Sequence, residues 1–193
     1  MKKIPQILIA IGIFLIIISL ALFVIIFLPV ANVEINYNLN KAKVVKEIIP
    51  ADKDFGIVIP KIRATAKIIA QVDPNDSYIY QLALTKGVAQ AKGTALPDQT
   101  GNMFLFSHSS VNLLEATRYN SVFFLLSKLV KNDEIDIYYK RLKYKYQVTE
   151  IKTVDAKDVS YLNPNSEKKT LTLMTCWPAG TTYKRLLVIA KLI

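Results

Sequence analysis

The chain is poor in reactive side chains. Its 193 residues contain one cysteine, Cys176, and one histidine, His108. A single cysteine excludes an internal disulfide. In a domain outside the cytoplasm, a lone thiol is either a small buried hydrophobe or is kept for its reactivity. Internal repeats and low-complexity tracts are also lacking, and the length leaves room for one folded domain plus an appendage.

Charge is missing from one long stretch. The 22 residues from Ile7 to Leu28 are almost all Ile, Leu, Phe, Val or Ala, with no ionisable side chain. As a helix they reach about 33 Å, enough for a hydrocarbon core of roughly 30 Å. The apolar region of a cleaved signal peptide is shorter, about 7–15 residues. Pro29 also weakens the one small-residue cleavage site, around Ala31. The stretch therefore reads as an uncleaved signal anchor, residues 1–33. Lys2 and Lys3 precede it, which favours a cytoplasmic N-terminus and a folded part outside the membrane, although Lys41, Lys43 and Lys46 follow.

Net charge is +10, which raises the question of nucleic acid. The cations are not gathered, however. Lys140-Arg141-Leu142-Lys143-Tyr144-Lys145-Tyr146 alternates like the solvated face of a strand. No nucleic-acid partner is expected, and outside the cell the acidic neighbours would be anionic headgroups or wall polymers.

Residues 34–54 read as a polar stalk and residues 55–193 as the folded domain. Strand patterns occur at 55–60, 66–70, 101–108, 134–139, 144–149, toward Cys176, and from Tyr183 to Leu192. Asp76 can cap a short helix that Gly87 ends. Ser121 can cap another, with Val122, Leu125, Leu126 and Leu129 at i, i+3, i+4 and i+7. Many short strands with two small helices predict an all-β antiparallel barrel or sandwich.

Both rare residues end strand patterns. In Thr172-Leu173-Met174-Thr175-Cys176, side chains alternate, so Thr172, Met174 and Cys176 share one face. If the returning strand sets Arg185 opposite Cys176, thiol and guanidinium share that face with Cβ atoms about 4.5–5.5 Å apart. A fixed cation there would favour thiolate and could donate to a developing oxyanion. His108 could exchange protons with nucleophile and leaving group. Taken singly, each residue has an ordinary structural reading, and a one-residue slip would separate Cys176 from Arg185.

Together these residues resemble the sortases, membrane-anchored cysteine transpeptidases of bacterial surfaces. Thr172–Cys176 resembles their TLxTC signature. Gly101–His108 matches their Gly-Asn-x-Phe-x-Phe-x-His strand, and Phe123–Ile135 their Phe-x-x-Leu-x-x-Leu run with a following Asp-x-Ile. Pro178-x-Gly180-Thr181 then leads to Arg185. The resemblance implies a closed eight-stranded β-barrel behind one transmembrane helix. It further implies that Cys176 cleaves an LPXTG-like sorting signal of a surface protein between Thr and Gly through a thioacyl intermediate. The acyl group would pass to a cell-wall or pilin amine. Arg185 would hold substrate and stabilise the oxyanion, His108 would move protons, and Thr175 would shape the oxyanion region. Trp177 and Tyr183 flank the hairpin as candidates for lining the groove, or as plain loop anchors.

Rival readings are a cysteine endopeptidase using water and a non-catalytic, membrane-tethered wall-binding β-domain. The pattern is closest to class D or E-like members. No cofactor or metal is expected: the segment before His108 lacks glutamate, and Glu167 stands alone in the later loop. Gln90 occupies a position where many members have histidine. Asn132 replaces the usual glycine before Asp133 and still tolerates a left-handed conformation.

Overall fold

The computed structural model describes residues 6–40, 48–109, 122–162 and 167–193. The apolar run forms a single helix, α1 (Gln6–Asn40), whose segment Gln6–Ile25 is long and apolar enough to cross a membrane. It continues seven residues past the stretch assigned to the anchor, so the first part of the expected stalk is helical.

Eight strands then close a barrel: β1 (Phe55–Ile59), β2 (Ala64–Val72), β3 (Val88–Ala91), β4 (Gly101–Phe106), β5 (Glu134–Tyr139), β6 (Leu142–Asp155), β7 (Lys169–Trp177) and β8 (Lys184–Leu192). Their order around the ring is β1-β2-β3-β4-β7-β8-β6-β5. Most neighbours are antiparallel, whereas β2–β3 and β4–β7 are parallel. Closure leaves no open sheet edge. Alternation fills the interior: Ile57, Ile59, Met103, Leu105, Ile135, Ile137, Tyr146, Leu171, Leu173 and Val188 are buried in one cluster. Burial also pushes the Tyr146 hydroxyl up to about 12, with neighbouring Tyr144 adding to the shift.

The first short helix forms as expected. In α2 (Ser77–Leu84), the Asp76 carboxylate accepts the Ile79 N–H at 3.0 Å. The second does not form as an α-helix. Residues 122–125 are a turn, followed by a 3-10 turn at Leu126–Lys128, and its proposed cap Ser121 lies outside the described residues. Phe123, Leu125, Leu126 and Leu129 are all buried in the barrel core. Packing over the barrel end therefore overrides the helical spacing. The alternation reading of the lysine strand holds. Tyr146 points inward, while Lys143 and Lys145 reach Asp136 and Glu134 at 2.7 and 2.8 Å. Asn132 takes φ +75°, the conformation its short polar side chain tolerates.

Candidate active site

Three strand ends build the site. In the β7–β8 hairpin, Cys176 lies opposite Arg185, Met174 opposite Leu187 and Thr172 opposite Ile189. This is the register that sets thiol and guanidinium on one face. Leu171, Leu173 and Thr175 face the interior at 2% exposure or less, so Cys176 lies on the outer face and is half-buried.

His108 arrives through the parallel β4–β7 pairing. Phe106 stands opposite Met174, the Ser107 N–H donates to the Met174 carbonyl at 3.2 Å, and the Thr175 hydroxyl donates to the Ser107 carbonyl at 2.9 Å. These ties hold the strand carrying His108 against the strand carrying Cys176, and both side chains line one cleft with Arg185. Thr175 is itself buried, and its hydroxyl is engaged in holding β4 to β7.

Arg185 is oriented by the loop before it. One guanidinium nitrogen, Nη1, donates to the Thr182 and Lys184 carbonyls, both at 3.1 Å. The loop opens with a turn in which the Thr181 N–H and hydroxyl both bond the Pro178 carbonyl, at 3.0 and 2.8 Å. Gly180 takes φ +79° there, which suits a residue without a Cβ.

The cleft has a volume of about 560 Å³ and is chemically two-ended. One end carries Cys176, His108 and Arg185. The other is formed by Tyr80 and Leu84 of α2, Phe104 and Phe106 of β4, and Tyr161 and Leu162. Tyr161 is firmly seated. Its ring stacks on Phe104 at 5.6 Å, its hydroxyl donates to the Met174 sulfur at 3.6 Å, and its carbonyl accepts from Asn102 at 3.3 Å. Burial raises the Tyr161 hydroxyl pKa, while the Arg185 cation acts in the opposite direction. Just before it, Asp158 accepts from the Ser160 hydroxyl and N–H at 2.7 and 2.9 Å. These bonds lower its carboxyl pKa, the side-chain bond most.

Sequence reasoning missed Tyr161. The only signal was an apolar pair, Tyr161-Leu162, inside a polar loop. Trp177 and Tyr183 do not line the cleft: Trp177 packs against the barrel core, and Tyr183 is 77% exposed. Gln90 is fully buried and bonds the Gln71 N–H, the Ala91 carbonyl and both oxygens of Thr94. It therefore anchors the β3–β4 turn and is not part of the cleft lining. Among the described residues, no three His, Cys, Asp or Glu side chains gather as a metal site.

Comparison with known proteins agrees with this architecture. Sortase D of Bacillus subtilis (strain 168) is 29% identical over 136 residues, which are 69% of this chain and 60% of that protein. The chain thus spans about three-fifths of the length of this relative. Among solved structures, Sortase A from Corynebacterium diphtheriae matches with a TM-score of 0.61 and 27% identity, covering 74% of this chain and 61% of the other. Sortase C1 of GBS Pilus Island 1 matches with a TM-score of 0.61 and 27% identity, covering 72% and 64%. Sortase C-1 from Actinomyces oris, at 22% identity, shares the fold with a TM-score of 0.62 over 84% of this chain and 97% of its own. The named relatives fall in several classes, so the subclass stays open. The sortase domain model matches residues 57–193, from the first barrel strand to the last residue, and the chain belongs to the sortase family.

Proposed function

We propose that the chain is a membrane-anchored cysteine transpeptidase that cleaves an LPXTG-like sorting signal between Thr and Gly. The observation that carries this reading is Cys176 paired across a hairpin with Arg185, in the cleft that His108 also lines. The Cys176 thiolate attacks the threonine carbonyl. The oxyanion that forms is stabilised by Arg185, whose guanidinium the loop carbonyls aim. His108 gives a proton to the departing glycine amine, leaving a thioacyl enzyme. An incoming amine then attacks the thioester, His108 takes its proton, and the Cys176 thiolate leaves.

In this proposal the tetrapeptide to be acylated extends from Cys176 toward the apolar end. That end of the cleft is marked by Phe104, whose partner on β7 is Thr172, four residues before Cys176. Four extended residues span about 13 Å, the length of the tetrapeptide to be acylated. Water as acceptor gives the endopeptidase reading, with an identical first half. α1 serves as the anchor in this proposal, with the barrel outside the cell.

Intact-mass measurement of the protein with LPXTG-type peptides tests the reading. A peptide adduct on wild type that Cys176→Ala does not form is expected, and absence of any adduct overturns it. Adding an amine separates the two acceptors. A peptide–amine product supports transpeptidation, and hydrolysed peptide alone overturns it.

A further inference from the structure

Among the described residues, the anchor helix meets the barrel through its C-terminal part. Val33 and Tyr37 of α1, four residues apart on one face, pack against the core cluster that holds Ile62 and Leu125. Glu34 between them pairs with Lys128 at 3.2 Å, and the Lys128 ammonium sits over the Tyr37 ring at 5.8 Å. Ala31 and Asn32 are exposed, and the spanning segment buries nothing. The helix therefore leaves the barrel on its N-terminal side instead of lying along the wall.

The strand directions say which end this is. β4 and β7 run parallel and finish at the catalytic end, with β8 and β6 alternating beside them. Continuing round the ring, β5 begins at that same end and β1 finishes there. Pro60–Ile62 and Asn132–Glu134, which line one cavity with Val33, Asn36 and Tyr37 of α1, are thus loops of the catalytic end. They stand across the barrel mouth from Cys176, since β1 and β7 are diametrically placed in the ring.

Distance and charge complete the argument. Val33 and Tyr37 lie eight and twelve residues beyond Ile25, or about 12 and 18 Å along the helix. Headgroups extend about 5–8 Å beyond the hydrocarbon core. The docked end thus stands about one Debye length, roughly 8–10 Å, from the lipid surface. Its loops expose Arg63, Lys86, Lys131 and Lys157, and the start of β8 exposes Lys184, none of them in an ion pair among the described residues. Val130, Val159 and Tyr183 are exposed between them, at 54%, 63% and 77%.

We propose that the catalytic end of the barrel is a lipid-facing surface. The α1 dock and this cationic rim hold it against anionic headgroups, so that substrate is cut close to the membrane. The inference rests on α1 being the anchor, and not on the identity of the peptide cleaved.

The test uses the full chain carrying Cys176→Ala, reconstituted in vesicles of phosphatidylcholine with phosphatidylglycerol and a trace of headgroup acceptor dye. One variant carries a donor fluorophore at Ala179→Cys, in the catalytic-end loop. The other carries it at Leu142→Cys, at the far-end turn between β5 and β6. Energy transfer severalfold stronger from position 179 is expected. Most of that contrast should be lost in pure phosphatidylcholine, or when Arg63→Gln, Lys86→Gln, Lys131→Gln and Lys157→Gln are combined. With Cys176 restored, the same four changes should leave cleavage of a soluble peptide within twofold.

Equal transfer from the two positions, or stronger transfer from 142, overturns the inference while leaving the anchor intact. Transfer that ignores both lipid charge and the four changes overturns the cationic rim. If the four changes instead abolish retention on immobilised poly(glycerol phosphate) and leave the contrast unaltered, the rim serves a wall polymer and the lipid assignment falls. A chain that fails to float with vesicles after alkaline carbonate overturns the anchor reading and the inference with it.

Discussion

Two hairpins of this barrel carry cations in their strands, and the cations serve different ends. In β5–β6, Lys145 stands opposite Asp136 and reaches Glu134, while Lys143 reaches diagonally to Asp136. Each lysine therefore meets a carboxylate. In β7–β8, Arg185 faces Cys176 on one side and Val154 on the other, with no carboxylate in register. Its Nη1 is directed by neutral carbonyls, which orient the charge without cancelling it. A strand cation becomes a candidate catalytic group through what lies opposite it, and composition alone does not distinguish the two hairpins.

That contrast can be broken at several points. Cys176→Ala removes the proposed nucleophile and should cost at least about 10⁴-fold in peptide cleavage, measured in single-turnover assays. If Arg185 is the charge reserved for the reaction, Arg185→Ala should lower kcat by about 10²–10³-fold. Arg185→Lys should recover only part of this, because a point ammonium cannot reproduce the fork of donors. A full recovery would reduce Arg185 to its charge.

Tyr161→Ala should raise KM about tenfold by stripping the stacked wall from the apolar end. Tyr161→Phe should retain most of the affinity, since it loses only the bond to the Met174 sulfur. In the other hairpin, Lys143→Met should leave peptide cleavage intact and lower stability by about 2 kcal/mol in urea titrations. It strands Asp136, which is 6% exposed and whose Oδ1 has no hydrogen-bond partner among the described residues. Asp136→Asn added to Lys143→Met should restore part of that loss.

The smallest effect concerns acid. The Asp158 carboxyl is held below its ordinary value by its bonds to Ser160, so its contribution is complete above the usual carboxylate range. As pH falls through the lowered value, the cap on the cleft wall is lost. The protection of the Ser160 amide against hydrogen exchange, taken relative to the intrinsic rate at each pH, should fall there, and Asp158→Asn should flatten the response.

Legibility followed regularity. Alternation from Thr172 to Cys176 showed which side chains share a face. The register with Arg185 stayed conditional, since a one-residue slip would separate the two groups, and the β7–β8 pairing supplies it. Val88–Ala91 gave no such signal. Its four residues are buried on both faces, so β3 shows no alternation and its place between β2 and β4 was not readable. The run from Val122 to Leu129 imitated a helical stripe, but every apolar side chain from Phe123 on except Phe124 is buried, which a surface helix would not allow. Tyr161 belongs to a single 3-10 turn, Ser160–Leu162, whose position depends on β4, a strand distant in sequence.

The parallel seam between β4 and β7 has a consequence for the order of events during folding. The bond from Thr175 to Ser107 closes a separation of 68 residues, and those from Thr172 and Thr170 to Asn102 close 70 and 68. Contacts so far apart along the chain bear loop-closure entropy before they return any stabilisation, so they form late. The hairpin bearing Cys176 and Arg185 is local by comparison and can form first. A nascent chain can therefore carry a thiol beside a guanidinium without His108 alongside. In the proposed mechanism, proton transfer by His108 is acquired only when the ring closes.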